Sequence, residues 1–262
     1  MFRMAFTKKW SSTFDPASDE PFVLSRSKID LFMECPRCFY LDRRLGISRP
    51  PSFPFTLNNA VDLLFKKEFD VHRAERSAHP LMTTYGIRAV PFADSRLEEW
   101  RDALRRGIKA LHEPTNLLIR GGIDDVWQND KGELHVVDYK ATAKPTEVNL
   151  NADWQISYKR QVEVYQWLFR QNGFKVSPTA YFVYANGSVD KKAFDGKLEF
   201  RVTILPYDGN DGWIPETLRN IKRALLEDAL PEPSDVCPYC SYRHKASSVE
   251  KKTKKSIQPS IF

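Results

Sequence analysis

Apolar positions follow a helical period early in the chain and a strand period in its middle. Residues 25–34, SRSKIDLFME, predict a short helix with Ser25 or Ser27 as N-cap, delivering Cys35 at its end. Gly46 and the prolines at 50, 51 and 54 break the pattern. Residues 57–70, LNNAVDLLFKKEFD, predict a helix with Leu57, Val61, Leu64, Phe65 and Phe69 on its apolar face and Asp62 beside that face. Residues 94–112 predict an amphipathic helix opened by Asp94 or Ser95. From there the period changes. Residues 117–127 predict a strand, Asn129-Asp130-Lys131-Gly132 a turn, and 134–140 a second strand, together an antiparallel hairpin. Residues 153–172 predict a long helix ended by Gly173. Residues 179–185 and 198–205 predict strands, and 214–229 a last helix with Pro215 in its first turn.

At 262 residues, with 42% hydrophobic and 28% charged residues, the chain can bury a substantial core. No repeat or flexible linker divides it, so one domain is expected over 24–245, after an N-terminal extension at 1–23. The stretch 245–262 holds five Lys and one Glu without a period, so 246–262 is expected to be a basic flexible tail. No apolar run approaches the ~18 residues of a membrane span, and MFRMAFTKKWSSTFD lacks a signal-peptide core. A cytoplasmic protein without membrane contact is expected. Forty Lys+Arg against 34 Asp+Glu give +6, a mild excess that suits nucleic acid or simple solubility.

All four cysteines fall in two pairs, Cys35-Pro-Arg-Cys38 and Cys237-Pro-Tyr-Cys240. Two CxxC pairs have metal-site spacing. Four thiolates suit zinc and also hold iron–sulfur clusters. Free thiols or a redox disulfide are the alternative. Nearly the whole chain lies between the pairs, so a shared centre would fasten its two ends together.

In the second hairpin strand, Asp138 and Lys140 share a face and Tyr139 points away. Asp124 lies on the facing strand. By alternation Asp125 points the other way, as a helper or a surface acid. Two converging carboxylates make a hard oxygen site suited to Mg2+ or Mn2+. A lysine beside them can activate water and offset phosphate charge. An ordinary cross-strand salt bridge would use the same residues.

Gly122-Ile123-Asp124, Val137-Asp138-Tyr139-Lys140 and the helix segment Gln161 to Tyr165 occur in an order that resembles the PD-(D/E)XK nuclease superfamily. Within it they resemble the RecB-type branch, which includes helicase-associated nuclease domains and the iron–sulfur exonucleases of CRISPR adaptation. The resemblance covers residues 24–243. It implies an α/β, restriction-endonuclease-like core: a central mixed sheet flanked by helices, with the N- and C-terminal segments joined at the four-cysteine site. It implies Asp124, Asp138 and Lys140 as catalytic residues, with Gln161 and Tyr165 lining the site. It implies Asp124, Asp138 and the Tyr139 carbonyl as metal ligands. The branch carries a histidine ligand on a helix before the hairpin. Asn58-Asn59-Ala60-Val61-Asp62 stands there in this chain, which makes Asp62 the third ligand and His72 a poorer candidate.

Cluster-bearing members have one N-terminal cysteine and three near the C-terminus. Here Cys35, Cys237 and Cys240 match, the final cysteine is missing, and Cys38 is additional. The resemblance implies a 4Fe–4S cluster at Cys35, Cys38, Cys237 and Cys240, while two CPxC knuckles suit Zn2+ as well.

The expected function is therefore a Mg2+- or Mn2+-dependent DNA nuclease hydrolysing phosphodiester bonds. Exonuclease-like action in DNA repair, recombination or CRISPR adaptation follows from the branch. The alternative is a DNA-binding or assembly subunit of a larger helicase or integrase machine. No P-loop GxxxxGK[ST] occurs, so the chain itself carries no such motor motif. An RNA substrate and the oligomeric state stay open.

Overall fold

The computed structural model describes residues 13–51 and 56–257, with side chains up to Lys251. Strand β1 (Phe22–Ser25) runs into α1 (Arg26–Glu34) and α2 (Pro36–Arg43). Ser25 is the N-cap of α1, as its sequence predicts. Cys35 joins the two helices, and Pro36 opens α2, where a missing N–H costs no helical bond. Next come α3 (Thr56–Glu75), α4 (Pro80–Thr84), β2 (Ala89–Pro91), α5 (Leu97–Arg101), β3 (Ile108–His112) and β4 (Leu117–Gly121). The hairpin β5 (Asp125–Asn129) and β6 (Leu134–Thr142) precedes α6 (Ile156–Gln171). Strands β7 (Thr179–Gly187) and β8 (Phe200–Asp208), then α7 (Ile214–Leu226) and α8 (Pro238–Ile257), complete the described chain.

A five-stranded mixed sheet has the order β2-β5-β6-β7-β8, and a three-stranded sheet the order β1-β4-β3. Strands β6 and β7 are parallel. A parallel pair needs a long crossover, which α6 supplies. Successive strand residues face opposite sides. On one side Val136 and Phe182 pack with Val162, Leu168 and Phe169 of α6. On the other, Val137, Tyr139, Val183 and Ala185 pack with Phe65 and Phe69 of α3. The α/β architecture with helices flanking a mixed sheet is the expected one.

Four elements differ from expectation. Residues 117–127 are two strands in different sheets, with Gly122 to Asp124 between them. Ile123 donates its N–H to the Trp100 carbonyl at 3.1 Å instead of to a strand partner. Residues 94–112 hold only the short α5, after which β3 pairs antiparallel with β4. Gly107 causes the change. It takes φ 75°, and a Cβ there would come 2.5 Å from the Gly121 carbonyl oxygen.

The face of α3 is narrower than predicted. Phe65 and Phe69 are buried, but Leu57 and Leu64 are 58% and 62% exposed. Finally, α8 runs through Ile257, across a segment expected to be irregular. Lys245, Ala246, Glu250 and Lys251 favour helix by propensity, without needing an apolar period. Residues 258–262 of the expected tail, and most of the expected N-terminal extension, lie outside the described residues. No helix among the described residues is long and apolar enough to cross a membrane.

Candidate active site and four-cysteine centre

The end of β6 carries Asp138, Tyr139 and Lys140. Strand alternation puts Asp138 and Lys140 on the α6 side, and Lys140 Nζ forms an ion pair with Asp138 Oδ2. Lys140 Nζ also lies 4.4 Å from the centroid of the Tyr158 ring on α6. Tyr139 faces α3, where its ring packs 5.0 Å from Phe65.

Asp124 is the last residue of the strand break, just before the first paired residue of the hairpin, Asp125. Its Oδ2 accepts the Tyr139 backbone N–H at 2.9 Å. That bond returns Asp124 to the end of β6. Asp62 comes from α3, and its Oδ2 accepts from Lys66 Nζ at 2.7 Å. The same Nζ is 3.6 Å from Asp124 Oδ1. Asp62 and Asp124 therefore converge on one cation.

These groups open on a cleft of about 520 Å³ lined by Asp62, Asp124, Tyr139, Lys140 and Gln161, with Arg26, Asn58 and Tyr158. Asp138 lies beneath its floor, fully buried. Tyr165 is buried behind Gln161, whose Nε2 donates to the Tyr165 hydroxyl at 3.3 Å. Gly121 makes room for that ring, since a Cβ there would come 2.4 Å from Tyr165 Cε1.

Burial pushes the Asp138 carboxyl up, and the Asp124 charge adds to this. The Lys140 ammonium opposes both, and the result is about 7. Burial would lower Lys140, but the charges of Asp138 and Asp124 outweigh it and hold the lysine cationic. Asp62 is raised by burial and then by Asp124, against the pull of Lys66.

Two carboxylate oxygens, Asp138 Oδ1 and Asp62 Oδ1, are buried without a hydrogen-bond partner. Buried acceptors without donors are rare, and a hard cation satisfies them. The oxygen donors are of the kind Mg2+ or Mn2+ takes, and Lys66 shows that a positive charge is accepted between Asp62 and Asp124, but among the described residues the three carboxylates do not gather as tightly as the four cysteines do.

Asp125 has a different place. It is fully buried, not a surface acid. Its carboxylate pairs with Arg73, lies 3.4 Å from Arg101, and accepts the Tyr139 hydroxyl at 2.7 Å. It anchors the opposite side of Tyr139. His72 bonds Ser77 near the far end of α3, at 3.0 Å, and does not line the cleft.

Three residues in or beside the cleft escaped the sequence reading: Tyr158 and Arg26 line it, and Lys66 bonds Asp62 at its edge. Lys66 had a signal, being four residues after Asp62 on one helix face. Tyr158 had a weaker one, three residues before Gln161. Arg26 had none. The parallel register that pairs Ser25 with Arg120 sets it at the end of β4, beside Tyr165 and within reach of the Asp138 charge.

The four cysteines gather at the other end of α1. Cys35, Cys38 and Cys237 are buried and Cys240 is partly exposed. The Sγ–Sγ distances are 3.8 Å for Cys35 to Cys240, 3.6 Å for Cys38 to Cys237 and 3.6 Å for Cys38 to Cys240. All four sulfurs lie within 4.8 Å of one another. Burial pushes the Cys35 thiol up, but backbone donors at Cys38 and Ser234 outweigh it and bring it to about 7. Arg49 Nη2 donates to Cys237 Sγ at 3.6 Å. By its chemistry the set could hold a metal ion.

The model of the PD-(D/E)XK nuclease superfamily matches residues 23–244, and the chain belongs to that superfamily. The crystal structure of SSO0001 is similar to 82% of this chain over 81% of its own, at 16% identity and a TM-score of 0.41. No curated protein matches the chain.

Proposed function

We propose that this chain is a DNA nuclease that hydrolyses phosphodiester bonds with Mg2+ or Mn2+ at the cleft formed by Asp62, Asp124, Asp138 and Lys140. The observation that carries the reading is that Asp62 of α3 and Asp124 of the strand break flank one cation beside the buried Asp138–Lys140 pair of β6, with two acceptor oxygens left without donors. Asp62, Asp124, Asp138 and the Tyr139 carbonyl would hold the ion. Bound there, a divalent ion lowers the pKa of water and withdraws charge from the scissile phosphate.

The rest falls to the chain itself. Lys140 holds an ammonium between Asp138 and the cleft, where it orients the attacking water and offsets charge developing on phosphate. Tyr158 confines that ammonium from the side. Gln161 faces the nucleotide and is held in place by Tyr165. Arg26 adds a cation for a neighbouring phosphate.

The branch resemblance supports exonuclease-like processing in DNA repair, recombination or CRISPR adaptation, alongside a helicase or integrase subunit. The test is release of nucleotides from end-labelled single-stranded and duplex DNA, with Mg2+ or Mn2+ and with a chelator. Metal-dependent cleavage is expected. Tight, salt-sensitive DNA binding without cleavage would replace this reading with that of a binding subunit.

A further inference from the structure

The four-cysteine centre is a separate question from the acidic cleft, and its geometry is informative on its own. A single ion with ~2.3 Å metal–sulfur bonds in a tetrahedron has sulfurs about 3.8 Å apart along each edge. The three close Sγ–Sγ distances here are 3.6, 3.6 and 3.8 Å.

A 4Fe–4S cluster makes a different demand. Each thiolate binds its own iron, and the irons are spaced by bridging sulfides. The thiolate bonds then radiate outward from four corners, so the sulfurs must stand farther apart than around one shared atom. With all four sulfurs inside 4.8 Å of one another, the centre has no room for a cluster core. The cluster implied by the family resemblance does not fit these residues.

We infer that Cys35, Cys38, Cys237 and Cys240 bind one tetrahedral divalent ion of the zinc class. The ligand pattern agrees with this. Each CPxC turn presents two sulfurs from one helix start, at α2 and at α8, and the two starts face each other. Four thiolates around a divalent ion leave two excess negative charges. Arg49 stands beside them, donating to Cys237 Sγ, with its guanidinium 4.5 Å over the Tyr239 ring and bound to Glu34 at 2.6 Å. Such donors to the ligand atoms orient and stabilise a thiolate site. The centre is redox-silent and fastens α1 and α2 to α8.

The experiment uses the full chain, purified without added metal and under argon to protect any cluster. Metal and acid-labile sulfide are measured on native protein and on Asp138→Asn, which removes a cleft ligand but no cysteine. The expected result is one zinc per chain in both, no labile sulfide, and no visible absorption. Exchange with Co2+ should then give the intense visible bands of tetrahedral thiolate cobalt. Several irons per chain with matching sulfide, or an apoprotein that takes up iron and sulfide in preference to zinc, would overturn the inference. Neither result depends on DNA cleavage, so the nuclease reading stands or falls separately.

Discussion

Asp124 and Asp125 grip Tyr139 from opposite sides. Asp124 Oδ2 accepts its backbone N–H at 2.9 Å, and Asp125 Oδ2 accepts its hydroxyl at 2.7 Å. Adjacent acids thus have separate tasks, one at the cleft and one in the core. Asp124→Asn should lower cleavage by about 10²-fold or more, the scale for losing one preorganised charge. Its thermal midpoint should barely move, because Asn keeps the acceptor. Asp125→Ala leaves the buried Tyr139 hydroxyl without its acceptor and Arg73 with Asp70 as its remaining carboxylate, and should cost about 3 kcal/mol. Thermal melts and cleavage rates of the two variants, measured side by side, check the division. Equal loss of stability in both would contradict it.

Gly121 supports the cleft from behind. A methyl there meets the Tyr165 ring at 2.4 Å, in a packed core that cannot give way cheaply. Gly121→Ala should destabilise by about 1–3 kcal/mol, as overpacking does. It should also disturb Gln161 through Tyr165. Urea midpoints report the first effect, and KM for DNA reports the second.

Much of this arrangement was legible before the fold. The pairing of Asp138 with Lys140 follows from strand period alone, and Gln161 with Tyr165 from helix spacing. The division of Gly122 to Asp124 between two sheets was not legible. Local propensity there favours a continuous strand, and the break coincides with two long-range close passages, Gly107 against Gly121 and Gly122 against Ala103. Arg26 enters the cleft through the register of β1 with β4, a long-range pairing with no local signature. Leu57 and Leu64 misled because helical period marks an apolar stripe but not how much of it the rest of the chain covers.

A pH effect should appear at Asp42. Burial pushes its carboxyl up, but the hydrogen bond from Lys28 at 2.7 Å and the charge of Arg43 outweigh this and hold it below the usual range. A depressed folded value means the contribution is full above the unfolded value of ~3.9 and is lost as pH falls through the folded one. The native chain should therefore lose more stability than Asp42→Asn on acidification below about pH 4. Thermal melts of both across the acid range measure the difference. Parallel curves would remove Asp42 from the acid limb.

Removing the ion from the cysteines should loosen both ends of the chain. Cys38 and Cys237 are 199 residues apart, so the centre closes a long loop whose freedom returns when it opens. A strong thiol-competing chelator should lower the melting midpoint and expose α8 to protease before the sheet. Mg2+ added afterwards should not restore it, since hard oxygen-seeking ions do not replace a thiolate-bound one. Limited proteolysis with mapping of the first cut checks the order.

The most direct measurement of the central claim compares the native chain with Lys140→Ala on end-labelled DNA at saturating Mg2+ or Mn2+, with DNA binding followed in parallel. The account predicts that cleavage falls by about 10²–10³-fold while DNA affinity and the fold persist. Full cleavage by Lys140→Ala would contradict it and move the active site away from the cleft at the end of β6.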